Sequence, residues 1–180
     1  ADDRPTVVLT RRPDLRQAEV ASLYDDIRIW LNAEDVDPAE DLRDILCELG
    51  LQGGRVGVEF ATYGLTAANG RMLDAALDGV CVLEDAADIV RCQRLVKSEA
   101  ELIKTREAGK LADAAVLAAI DAAAPGATES ELSAAALTAM LSGGGDPPAG
   151  GPLVNTGPRA LFGRGIGGPR RIDENDQVLI

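Results

Sequence analysis

The sequence has 180 residues and no histidine. That absence excludes Ser-His-Asp and Cys-His nucleophilic catalysis within these residues and removes the commonest zinc ligand. Cysteine is scarce: Cys47, Cys81 and Cys92 stand far apart, with no CxxC. An odd number of isolated thiols reads as small reduced hydrophobes and predicts a cytoplasmic protein. Aromatic residues make up 3% of the chain, so any core is aliphatic and rich in alanine. Basic residues are outnumbered 18 to 30, for a net charge of -12. Such a surface repels phosphate backbones and anionic lipid, which excludes nucleic acid and membrane as partners. No apolar run approaches the roughly 18 residues of a spanning helix, and the polar, acidic first residues predict no signal peptide. No glycine-rich phosphate loop follows any strand-like run, and no repeat occurs at solenoid periods.

What is present is a folded α/β chain. At 46% hydrophobic it can bury a core, and its length suits one ordinary domain or two small or incomplete ones. Thr6–Thr10 reads as a strand, Arg11–Ala21 as weakly helical, and Ile27–Leu31, which carries the only Trp, as a second strand. Trp30 reads as a packing residue. Asp37, Pro38 and Glu40 form a helix start, followed by the stripe Leu42, Ile45, Leu46 and Leu49 and closed by Gly50. Gly53-Gly54 is a turn. Arg55–Phe60 alternates as a strand, Leu65–Leu77 is helical despite Asn69-Gly70, Val80–Glu84 is a strand, and Asp85–Leu95 is helical. Strands alternating with helices predict an α/β layer.

The stretch Arg94–Leu132 divides the chain. Ser98 with Glu101, and Thr128 with Glu131, are two capping boxes. Ala108, Leu111, Ala112, Ala115, Val116, Ala119 and Ile120 form the apolar face of the first helix. Pro125-Gly126 ends it, and Leu132, Ala135, Ala136 and Met140 continue the spacing in the second. Ser142–Pro152 is a Gly/Pro loop. Asn155–Gly168 is glycine-rich and holds Arg159 and Arg164. Asp173–Asp176 is a turn, and Val178–Ile180 opens a strand. The acids of that turn lack the pattern of a calcium loop. Arg159, Arg170 and Arg171 read as solvated loop arginines.

Taken together, Arg94, Lys97, Ser98, Glu101, Leu102, Pro125, Gly126, Thr128 and Glu129 resemble the start of the catalytic domain in the pita-bread fold hydrolases. That family includes creatinase, Xaa-Pro dipeptidase and aminopeptidase P. RVGVEF and VCVLED resemble the second half of a creatinase-type N-terminal domain. LVNTGPRALFGR and RRIDENDQVLI resemble the segments before the family's first metal-binding strand. The resemblance implies an α/β (α+β) fold in two parts, with residues 1–93 an incomplete N-terminal domain and 94–180 the first helices and hairpin of an incomplete pita-bread catalytic domain. It implies a fragment of a hydrolase that cleaves an amide or C–N bond in a dipeptide or small amino-acid derivative.

By the same resemblance, the full-length protein either holds two divalent metal ions (Mn, Co or Zn), as the metal-dependent members do, or is creatinase-like and metal-free. The metal ligands lie beyond Ile180, so no cofactor and no stoichiometric metal is expected in this chain. The full-length protein is expected to form a homodimer. Where the family places a pocket histidine, seven residues after Gly157, this chain has Arg164. Arginine does not act as an acid or base near neutrality but clamps a carboxylate. The expected substrate-binding residues are therefore Arg164, Asn155 and Gly157, and no catalytic residue is expected. The alternative is a non-catalytic homologue or truncated product acting only through protein contacts. An isolated fragment with an open sheet edge is expected to be poorly soluble.

Overall fold

A computed structural model describes residues 3–165 and 168–180. The chain forms two compact units, Ala1–Val96 and Lys97–Ile180.

The first unit runs β1 (Val7–Arg11), α1 (Leu15–Ala21), β2 (Asp26–Trp30), α2 (Pro38–Glu48), β3 (Arg55–Val58), α3 (Ala67–Leu77), β4 (Val82–Asp85) and α4 (Ala87–Leu95). Helices α2 and α3 start where the local chemistry demands. The Asp37 carboxylate accepts from the Ala39 N–H, with Pro38 at the first helical position. The Thr66 hydroxyl accepts from the Asn69 N–H, which puts Asn69 in the first turn of α3 and accounts for a helix running through Asn69-Gly70. Gly50 and Gly53 adopt φ of 70°, which suits only glycine, and close α2 and the following turn. Buried Ala39 and Ile45 of α2 and buried Leu73 and Leu77 of α3 form the centre of this unit.

The strands depart from the expected single layer. They form two separate parallel pairs, β1 with β2 and β3 with β4. Val7 aligns with Asp26 in one pair and Arg55 with Val82 in the other. The Phe60 N–H turns back onto the Val58 carbonyl at 3.0 Å, so β3 ends two residues earlier than the alternation predicts. Trp30 is half-buried, as a packing residue would be.

The second unit is a helical hairpin, α5 (Glu99–Ala122) and α6 (Glu129–Ser142), followed by β5 (Asn155–Thr156) and β6 (Val178–Leu179), which pair antiparallel. Both capping boxes are complete. Ser98 and Glu101, and Thr128 and Glu131, satisfy each other's backbone N–H groups reciprocally. Ala115, Ala119, Leu132 and Ala136 bury the seam between the helices, and Val154 and Ile172 close it from the downstream segment. Val116 (44% exposed), Ile120 (51%) and the exposed Ala108 and Ala112 lie outside the seam, although their spacing puts them on one apolar face with it. The seam is a narrow stripe of alanines, and α6 covers only that stripe of α5.

No helix among the described residues is long and apolar enough to cross a membrane. Replacing Thr128 by Ala removes one half of a capping box and is expected to lower stability by about 1 kcal/mol. The measurement is the urea midpoint, and Thr128→Ser is expected to restore most of the loss.

Candidate functional site

Glu129 stands at the first position of α6, immediately after its N-cap. Its side chain lies on the stripe of Leu132 and Ala136, three and seven residues on, and therefore faces the core. It is 1% exposed. A carboxylate at that depth costs several kcal/mol unless it is paired and hydrogen-bonded. Here its partners come from β5 and the turn that follows it. Oε1 accepts from the Thr156 backbone N–H and from the Thr156 hydroxyl, both at 2.8 Å. Oε2 pairs with the guanidinium of Arg159.

A second pair adjoins the first through the same threonine. Arg170 donates at 2.6 Å to the Thr156 hydroxyl oxygen and at 2.6 Å to Asp176 Oδ2. That oxygen also accepts from the Asp173 N–H at 2.8 Å. The Arg170 guanidinium, then the Asp173 amide, hold the Asp176 carboxyl below the usual carboxylate range. Gly157 bends the chain at φ 53°. A Cβ there would sit 2.4 Å from Asp176 Oδ1 and 2.5 Å from an Arg170 guanidinium nitrogen, so the turn has no room for a side chain.

The expected site residues divide accordingly. Asn155 is fully buried, and its side-chain amide donates to the Phe162 carbonyl at 3.2 Å. Its Oδ1, like Arg159 Nε, is buried without a hydrogen-bond partner. Gly157 is half-buried against Arg170 and Asp176. Arg164 is exposed in a bend and has no hydrogen bond or ion pair among the described residues. The structure thus brings Asn155 and Gly157 to one turn and leaves Arg164 outside the network.

Two of the arginines taken as solvated are not. The side chains of Arg159 and Arg170 are each 21% exposed and locked to carboxylates. Arg171 is exposed and donates to the Gly126 carbonyl at 2.6 Å. The acids of 173–176 do form a turn, closed by the Asp176 N–H on the Asp173 carbonyl at 3.1 Å. The sequence reading noted Glu129 only as a match to the family pattern. The signal that marks it is an acid in register with the apolar stripe of its own helix.

A groove of about 570 Å³ lies beside this network, lined by Glu129, Ser133, Leu137, Pro152 and Val154 among others. Neither Asn155, Gly157 nor Arg164 lines it. Among the described residues no group of three or more Asp, Glu or Cys side chains is arranged to hold a metal ion. Asp176 is committed to Arg170 and the Asp173 amide, so the donor set present does not fit a divalent cation.

These features define a class: a mixed α/β unit followed by a capped helical hairpin that grips a glycine-rich loop. Solved structures share this fold. The prolidase from Thermococcus sibiricus superposes with a TM-score of 0.79 at 16% identity, over 98% of this chain and 46% of that one. The prolidase from Pyrococcus horikoshii gives 0.76 at 21% identity, over 97% and 46%. Residues 103–180 match the model of metallopeptidase family M24. An uncharacterised hydrolase/peptidase of Sinorhizobium fredii is 32% identical over 99% of this chain and 45% of its own length. A Pyrococcus horikoshii Xaa-Pro dipeptidase is 33% identical over 52% of this chain and 26% of its own. The match to metallopeptidase family M24 thus lies in the second unit, and over most of its length the chain shares its fold with the prolidases. It spans less than half the length of the relatives it matches.

Two outcomes follow for the network. Gly157→Ala places a methyl group on Asp176 at positive φ and is expected to cost more than about 1 kcal/mol in a urea titration. Asp176, held by Arg170, and Glu131, held chiefly by the Thr128 backbone N–H and hydroxyl, have folded pKa values below the ordinary ones. The stability they contribute is present above their unfolded values, about 3.9 for Asp and 4.3 for Glu, and is lost as pH falls through the lower folded values. A thermal melt series from pH 6 to 2.5 is expected to show that loss, with a shallower acid slope for Asp176→Asn.

Proposed function

We propose that this chain is the N-terminal portion of a pita-bread hydrolase that cleaves an amide or C–N bond in a dipeptide or small amino-acid derivative. On this reading residues 1–93 are the second half of a creatinase-type N-terminal domain. Residues 94–180 open the catalytic domain, and the structural division at Val96 and Lys97 supports that assignment. Divalent metal ions, whether Mn, Co or Zn, would be held by residues outside these 180 and would supply a Lewis acid and an activated hydroxide. The working protein is a cytoplasmic homodimer on the same reading.

The observation that carries the proposal is the anchored loop 155–164 within the segment matched to family M24. Asn155 and Gly157 stand at the base of that loop. Arg164 stands exposed at its end with its donors uncommitted among the described residues. A guanidinium offers two parallel N–H groups to a carboxylate and keeps its charge at any working pH. It binds and orients a carboxylated substrate and does not move protons. The same arginine also favours the second reading, a non-catalytic homologue, because the chain has no histidine to serve as a pocket acid or base.

The test is titration calorimetry of the protein carrying this sequence with a dipeptide and with its C-terminal amide. Arg164→Ala is expected to weaken the free-carboxylate ligand about tenfold, in keeping with the loss of a charged hydrogen bond, and to leave the amide unchanged. Equal affinities of wild type and variant for both ligands would refute the carboxylate-docking role. Dipeptide binding without turnover in the presence of Mn, Co or Zn would favour the non-catalytic homologue.

A further inference from the structure

The glycine-rich loop is held at intervals up to residue 162 and again at Gly168, whose carbonyl accepts from the Ser130 hydroxyl at 2.9 Å, whereas Gly163 and Arg164 have no hydrogen bond or ion pair among the described residues. Glu129 fixes Thr156 and Arg159. Within the turn the Ala160 N–H donates to the Gly157 carbonyl at 3.0 Å, and the Phe162 N–H to the Arg159 carbonyl at 2.9 Å. The Asn155 side chain then closes the whole loop by donating to the Phe162 carbonyl at 3.2 Å. Gly163 follows, and Arg164 comes next without a bond among the described residues.

We propose that Glu129 and Asn155 are positioning residues that set the place from which Arg164 reaches its ligand. Neither touches Arg164. They act through the backbone, by fixing the chain that leads into Arg164 as far as Phe162. A docking group on a loop ordered beforehand loses less conformational entropy on binding than one on a loose loop. The division of labour follows from the chemistry of each residue. The Glu129 carboxylate is too deep for solvent and needs three donors, which only a folded 156–159 turn supplies together. The Asn155 amide spans seven residues and converts that turn into a closed loop. The ligand class, a carboxylate, rests on the reading given under Proposed function. The tether does not.

A nitroxide spin label tests the tether without substrate. It is placed at Arg164→Cys in a background where Cys47, Cys81 and Cys92 are Ser, with control labels at Glu34 in an exposed turn and Asp113 on α5. In the parent the label at 164 is expected to be slower than the one at 34. Glu129→Gln and Asn155→Ala are each expected to speed the 164 label at least twofold and to leave the 113 label unchanged. A 164 label whose mobility is the same in folded variants and parent would overturn the proposal. So would a parent label already as mobile at 164 as at 34, a comparison that stands even where a variant fails to fold. With Arg164 intact, Glu129→Gln is also expected to weaken the dipeptide about fivefold while sparing its amide. Failure of the parent to bind the dipeptide would sink the substrate reading alone, because the label comparison needs no ligand.

Discussion

A carboxylate with 1% exposure dictates the arrangement of the second unit. Glu129 is pulled inward because it stands on the same face of α6 as Leu132 and Ala136, and that face is needed for the core. Removing its partners would leave a buried charge, so the segment after the Gly/Pro loop must return to the start of α6. The return is reinforced from the other side. The Gly126 N–H donates to the Ile172 carbonyl, the Ile172 N–H to the Ala127 carbonyl, and the Glu129 N–H to the Arg170 carbonyl. The first N–H of α6, which has no partner within the helix, is thereby satisfied by chain more than 40 residues downstream. Burial of one acid thus brings the helix start, the β5–β6 pair and the 170–176 turn to the same place.

The helical hairpin carries this load with small side chains. Ala115, Ala119 and Ala136 let α5 and α6 approach closely. At the far end a Cβ on Gly143 would lie 2.4 Å from Leu111 Cδ2, so glycine there makes room for the leucine. The consequence is a seam with little apolar area per residue. Ile103, Val116, Leu117 and Ile120 remain 44–60% exposed along α5. Polar anchoring by Glu129 and its two basic neighbours therefore matters more here than in a hairpin joined by leucines.

The parts legible in the sequence are those whose physics is local. Both capping boxes join residues three apart, and Asp37-Pro38 fixes its helix within two residues, so composition and spacing suffice. The β5–β6 pair was foreshadowed only as a resemblance, because two-residue strands have no periodicity to read. The Glu129 contacts span 27 and 30 residues, and nothing within a helical window reports them. For the same reason Arg159 and Arg170 look like loop arginines until their carboxylates are found. The misplacement of Val116 and Ile120 has a different origin. A 24-residue helix with alanine on several faces offers more than one stripe, and only the partner helix selects between them.

Four arginines lie between residues 155 and 172, and their fates differ by what can reach them. Arg159 and Arg170 meet buried or half-buried carboxylates. Arg171 meets a carbonyl in the turn between α5 and α6. Arg164 meets nothing among the described residues, although it follows the most tightly held stretch of the loop. The Arg170–Asp176 pair loses its charge only as Asp176 is protonated, below the usual carboxylate range. Above that limit this pair at the base of the loop keeps both charges, since the same contact raises Arg170. A loop anchored by ion pairs and carrying an exposed guanidinium at its end suits recognition of an anion.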